Sequence, residues 1–79
     1  MRAEEFRKQS LELEGWNVHL SSFRIGGQYL AEVEVESSGV TIARATDETR
    51  AVAEERAVET AIRRLTRTRR LDFDLTVGG

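Results

Sequence analysis

The chain has no cysteine. No disulfide can staple it and no thiolate can hold a metal, so its compartment leaves no redox mark on it. No apolar run approaches the ~20 residues needed to cross a bilayer. The opening, MRAEEFRKQSLELEG, is charged throughout, which argues against a secretory leader. The expected setting is the cytoplasm, without membrane contact. Lysine occurs once, as Lys8, and histidine once, as His19. The net charge of −2 disfavours unspecific attraction to nucleic acid or anionic lipid. A chain of 79 residues makes one small α+β domain over 1–79. At this length about 60% of the unfolded surface is buried, so stability is limited.

The charge that is present is unevenly placed. Residues 47–60 carry −3, residues 61–70 carry +5 and residues 71–79 carry −2. The basic stretch is RRLTRTRR, Arg63 to Arg70, with five arginines and no acid.

Hydropathy patterning proposes the elements. Ala3, Phe6, Ser10 and Leu13 fall on one face at helical spacing, and Gly15 offers a stop, so residues 2–14 read as a short helix. WNVHLSSF at 16–23 alternates, with Trp16, Val18 and Leu20 on one side. Gly26-Gly27 is a hairpin signal. QYLAEVEVE at 28–36 sets Tyr29, Ala31, Val33 and Val35 against Glu32, Glu34 and Glu36, and VTIARA at 40–45 gives a third strand. Residues 47–69 form the strongest element, a helix whose apolar arc holds Ala53, Ala57, Val58, Ala61, Ile62 and Leu65. LDFDLTV at 71–77 alternates strictly and reads as a further C-terminal strand.

The expected fold is therefore a three-stranded antiparallel sheet with two helices packed on one face and a possible extra C-terminal strand. Its core should hold Trp16, Val18, Leu20, Tyr29, Val33, Val35, Val58, Ile62 and Leu65.

This α-β-β-β-α order, with TRAVAEERAVETAI opening the last helix, resembles the double-stranded RNA-binding domain over residues 2–66. That family opens its last helix with a Ser-Lys-Lys-x-Ala-Lys type motif followed by small residues four apart. Thr49 stands at the capping serine, and Ala53, Ala57 and Ala61 at the small positions. The resemblance implies the fold. It does not imply RNA binding, because only Arg50 matches a phosphate-binding lysine. Ala51 and Glu54 replace the others, and the RIGG loop lacks the family's histidine.

Two surfaces are candidates for interaction. Arg56, Arg63, Arg67 and Arg70 lie within about 60° on the helical wheel, opposite the apolar arc. The ordinary role of such a stripe is a solvated face complementing the negative end of the helix dipole. Glu32, Glu34 and Glu36 form a row with a spacing of about 6.6–7 Å, whose ordinary role is to keep the sheet soluble. His19 and Ser21 share a strand face but lie too far apart for a hydrogen bond. No catalytic residue, cofactor site or metal site is identified. Gly78-Gly79 resembles the adenylated tail of ubiquitin-like and sulfur carriers, although that fold orders its elements β-β-α-β-β. The expected function is a small non-catalytic interaction module, with a protein partner or a second copy of itself. The alternatives are nucleic-acid binding through the arginine stripe, and a Gly-Gly carrier.

Overall fold

Alternation over residues 16–35 builds the centre of the sheet. In the computed structural model, which describes the backbone of residues 4–78 and the side chains of residues 4–67, β2 (Trp16–Ile25) and β3 (Gln28–Val35) form an antiparallel hairpin. Their register sets Val18 opposite Val35 and Leu20 opposite Val33. Gly26 turns the hairpin at φ +62, a conformation that costs a glycine nothing. β4 (Thr41–Asp47) pairs with β3 on its other side. The register slips between Val33 and Glu34, so that Ile42 is an extra residue in β4.

The helix expected over residues 2–14 is a strand instead. β1 (Glu4–Leu13) pairs antiparallel with β2, placing Leu13 opposite Trp16, Leu11 opposite Val18 and Ser10 opposite His19. Gly15 suits a helix stop because it accepts positive φ, and that same property makes a hairpin turn. Glu14 at φ +51 and Gly15 at φ +83 form the two-residue connection of β1 to β2. Positive φ at both central positions matches the right-handed twist of the flanking strands.

Among the described residues the single helix is α1 (Arg50–Gly78). Thr49 caps it: the Thr49 Oγ1 accepts from the Val52 amide at 3.4 Å, and the Thr49 amide donates to Asp47 Oδ2 at 2.9 Å. The helix continues through residues 71–77, so the expected C-terminal strand is absent. The sheet thus has four strands in the order β1-β2-β3-β4, with one helix on one face. Three strands with two helices is corrected to this arrangement, while the α+β class stands. The run β2-β3-β4-α1 keeps the order on which the family resemblance drew; the leading helix of that order does not exist here.

Ala53, Ala57 and Ala61 are fully buried and Leu65 nearly so, against Val18, Leu20, Ala31, Val33, Val35 and Ala43. Three alanines in line let the helix approach the sheet closely, so this core is made of short side chains. Of the expected core, Trp16, Tyr29 and Val58 are half-buried at its margin, and Ile62 is exposed. No helix among the described residues is long and apolar enough to cross a membrane.

Candidate functional site

With α1 covering one face of the sheet, every second residue of each strand points to the other, open face. The strand register lines these residues into rows across the sheet. Next to a bulge of β1 in which Glu5 takes φ +55, Phe6 points to the open side, alternating with Lys8 and Ser10. There its ring stacks on Phe23, with centroids 6.3 Å apart and planes 18° apart. Phe23 lies opposite Leu30, and Leu30 opposite Thr46, so an apolar row crosses the sheet. Phe6 is 64% exposed, the most exposed large apolar side chain among the described residues. A recess of about 180 Å³ lies beside this row, lined by Ile25, Gln28, Tyr29, Leu30 and Thr46.

One step along the strands the row is charged: Lys8 opposite Ser21, Ser21 opposite Glu32, Glu32 opposite Arg44. Glu32 Oε1 meets Arg44 Nε at 3.6 Å across 28% and 63% exposed side chains, a surface pair of small energetic weight. The next row places Ser10 opposite His19 and His19 opposite Glu34. Ser10 Oγ lies 3.3 Å from His19 Nδ1, and Glu36 Oε1 lies 3.6 Å from His19 Nε2. Serine, imidazole and carboxylate thus stand in line. They stand on an open sheet surface, and three recesses among the described residues are lined by other side chains. His19 is joined to Ser10 rather than Ser21, a partner invisible while residues 2–14 read as a helix.

The sequence candidates divide between two sides of the molecule. Glu32 and Glu34 stand on the open face of β3, and Glu36 lies in the turn beyond it. Arg56, Arg63 and Arg67 are exposed on the outer side of α1, on the opposite surface, and the Arg70 side chain lies outside the described residues. Arg56 Nη1 reaches Asp47 Oδ1 at 3.8 Å. Arg63 and Arg67, with Thr60 and Arg64, border a recess of about 270 Å³. The acidic row and the basic stripe therefore do not form one surface.

Of the residues at the family's lysine positions, Arg50 and Glu54 are engaged inside the molecule. Arg50 packs its guanidinium on the Tyr29 ring, 5.1 Å from the centroid, and donates to the Glu5 carbonyl. Glu54 is not a surface acid. It is 9% exposed, accepts from Ser22 Oγ at 2.6 Å and pairs with Arg7 Nη2 at 2.5 Å. Ser22 itself is fully buried. This cluster ties the edge strand β1 and the centre of β2 to the first turns of α1.

Among the described residues two groups have displaced proton affinities. Asp47 is held below the usual carboxylate range, chiefly because its carboxylate accepts the Thr49 backbone N–H. Arg24 is raised, first by its hydrogen bond to Glu4 and then by the Glu5 charge. Both belong to structural contacts. Among the described residues no group of three or more His, Asp or Glu side chains is placed to hold a metal ion. No family model, no curated protein and no solved structure matches this chain.

The apolar row could have been found in the sequence. The alternation of residues 16–23 continues to Ile25, and its second face turns from polar (Asn17, His19, Ser21) to apolar (Phe23, Ile25). Ending the strand at Phe23 concealed that change.

Proposed function

We propose that the chain is a non-catalytic interaction module that binds a protein through the open face of its sheet. The observation that carries this reading is the stacked pair Phe6–Phe23, with Phe6 64% exposed and Leu30 beside it. Aromatic side chains are enriched at interface centres, where burying them supplies much of the binding energy. A polar, charged row adjoining an apolar one is the usual plan of such surfaces, an apolar centre within a polar rim. Glu32, Glu34 and Glu36 fall in that rim, so the candidate acidic residues are assigned to orientation of the partner rather than to affinity.

The test is capture from a host extract by the immobilised chain, with Phe6→Ala as control. Because Phe6 is mostly exposed, the variant keeps its fold, which circular dichroism verifies. Loss of the captured protein with Phe6→Ala supports the reading. Retention at full strength shows that the open face is not the binding surface.

A second reading, nucleic-acid binding, is favoured by one observation: Thr60, Arg63, Arg64 and Arg67 surround a recess on α1. Against it, Arg50 is occupied by Tyr29 and Glu5 at the helix N-terminus. The Gly-Gly carrier reading rests on Gly78 and Gly79, of which Gly79 lies outside the described residues.

A further inference from the structure

α1 runs back along β4. Arg56 Nη1 reaches Asp47 at the end of β4, and Arg64 Nη1 donates to the Ile42 carbonyl near its start. The helix therefore passes the edge strand in the opposite direction. Two recesses open on this side of the molecule, and Arg64 borders both. One, of about 250 Å³, is lined on the strand by Ile42, Ala43 and Arg44. The other, of about 270 Å³, is lined on the helix by Thr60, Arg63 and Arg67. Meeting at Arg64, they follow the angle between the edge strand and the flank of α1.

Backbone and charge together define what fits this angle. β4 is last in the sheet order, and no strand among the described residues pairs with its outer side. Such an edge presents outward N–H and C=O groups that another polypeptide backbone can match along its length. The Ile42 carbonyl is taken by Arg64, so pairing begins beyond it, along residues 43–47. Among the described residues no acid lines either recess. Arg63 and Arg67 are exposed and have no ion-pair partner among the described residues, while Arg44 meets Glu32 at 3.6 Å. No described aromatic side chain lines either recess, so nucleic-acid bases have nothing to stack on there.

We propose that an extended acidic segment of a partner protein pairs with the outer edge of β4 as a fifth strand, beside the flank of α1. The spacings agree. An added strand lies about 4.7–4.9 Å from β4, and its side chains on the helix side recur every 6.6–7 Å or so. Arg63 and Arg67, four residues apart, stand about 6 Å apart along the helix axis. Carboxylates two residues apart on the strand therefore meet guanidiniums one turn apart on the helix. Hydrogen bonds between arginine and carboxylate are among the strong ones, being charged on both sides. Main-chain pairing supplies affinity, and the recesses with their arginines select the sequence. Arg63 and Arg67 thereby gain a role that binding through the open face leaves them without. The edge site goes beyond the open-face reading and does not rest on it, since Phe6 stands on β1, at the opposite edge of the sheet.

Amide spectra of the isotopically labelled chain, followed during a peptide titration, read both the place and the strength of binding. The probe is a synthetic peptide of about eight residues that alternates Glu with Thr and is capped at both ends. At physiological salt, shifts should gather at residues 43–47 and at Thr60, Arg63 and Arg67, and should saturate. The same peptide with Gln for Glu should bind at least tenfold more weakly. So should the Glu peptide to a chain carrying both Arg63→Gln and Arg67→Gln, which keeps its fold because both side chains are exposed. N-methylation of every second residue, made in both phases, should cost at least tenfold in the phase that blocks pairing, because charge alone does not make a strand. Phe6→Ala should leave the titration unchanged. The proposal is overturned by the absence of shifts at millimolar peptide, by equal binding of the Glu and Gln peptides, or by indifference to N-methylation in both phases. Shifts centred on Phe23 and Leu30, or binding lost with Phe6→Ala, overturn it as well. So does a single-stranded RNA oligonucleotide that moves the same resonances at lower concentration than the peptide, which would make the recess a phosphate site.

Discussion

Replacing Ser22 with alanine tests whether the buried carboxylate holds the sheet and helix together. Ser22 is fully buried, Glu54 is 9% exposed, and the hydroxyl donates to the carboxylate at 2.6 Å. Arg7 pairs with the other carboxylate oxygen, but its side chain is 51% exposed. Water therefore screens much of the ion pair, and the hydroxyl bond carries more of the cluster's net worth. A hydrogen bond to a charged group contributes about 1.5–3 kcal/mol, so Ser22→Ala should cost about 2 kcal/mol. The same substitution in a Glu54→Ala background should cost nothing or stabilise slightly, because the hydroxyl is already stranded there without its acceptor. The coupling between the two sites should then reach about 1–2 kcal/mol. Urea unfolding followed by the fluorescence of Trp16, the only tryptophan, provides the measurement, with circular dichroism as a second probe. A domain of this size is stable by about 4–12 kcal/mol, so a 2 kcal/mol loss falls well within range. Equal costs of Ser22→Ala in both backgrounds would refute the reasoning.

Leu65→Ala should lose about 2–5 kcal/mol in the same assay, since among the described residues Leu65 is the one large apolar side chain that α1 buries in an otherwise alanine-lined contact. Asp47→Asn should flatten the acid limb of the stability profile. The depressed carboxyl adds stability at pH values above its unfolded value, and that gain fades as pH falls through the lower folded value, so the difference between parent and variant should shrink below about pH 4. Titration of a labelled RNA duplex at physiological salt should show no sub-micromolar binding. Any weak binding should fall steeply with added salt and be reduced by Arg63→Glu, Arg67→Glu and Arg70→Glu together.

The parts of the fold legible in the sequence are those in which one period is unbroken. Val18 and Leu20 against Val33 and Val35 repeat every second residue, and Ala53, Ala57, Ala61 and Leu65 every fourth; these positions form the core. β1 was hidden because it is an edge strand beyond the reach of α1. On its inner side only Leu11 and Leu13 are apolar, beside Arg7 and Gln9, while Phe6 stands on the other side and a bulge interrupts the strand at Glu5. A strand with two inward apolar residues and a break in period matches a short helix equally well. The C-terminal misreading has the opposite cause. Leu71 and Leu75, and Phe73 and Val77, stand four apart as well as two apart, so the alternation of LDFDLTV also fits a helix. No glycine or proline interrupts residues 50–77. Extending an existing helix adds one hydrogen bond per residue fixed, whereas a new strand requires a turn and an edge to pair with.

The functional surfaces were less legible than the fold, for a reason rooted in register. The charged candidates were neighbours along the chain: arginines one or two turns apart on a helix, glutamates two apart on a strand. The structure leaves those groups on opposite sides, while its own juxtapositions join distant residues. Ser10 meets His19 across nine positions, Ser22 meets Glu54 across 32, and Phe6 meets Phe23 across the same β1–β2 pairing. None of these contacts follows from composition or periodicity; each follows from which strand lies beside which, and by how many residues it is shifted. Exchanging the first helix for a strand moved Phe6 from the apolar face of a helix to an exposed aromatic pair. One change of element thus created the surface proposed for a protein partner. Phe6→Ala should weaken capture of the partner, whereas Ile62→Glu, an exposed change on the helix side of the sheet, should leave that capture intact.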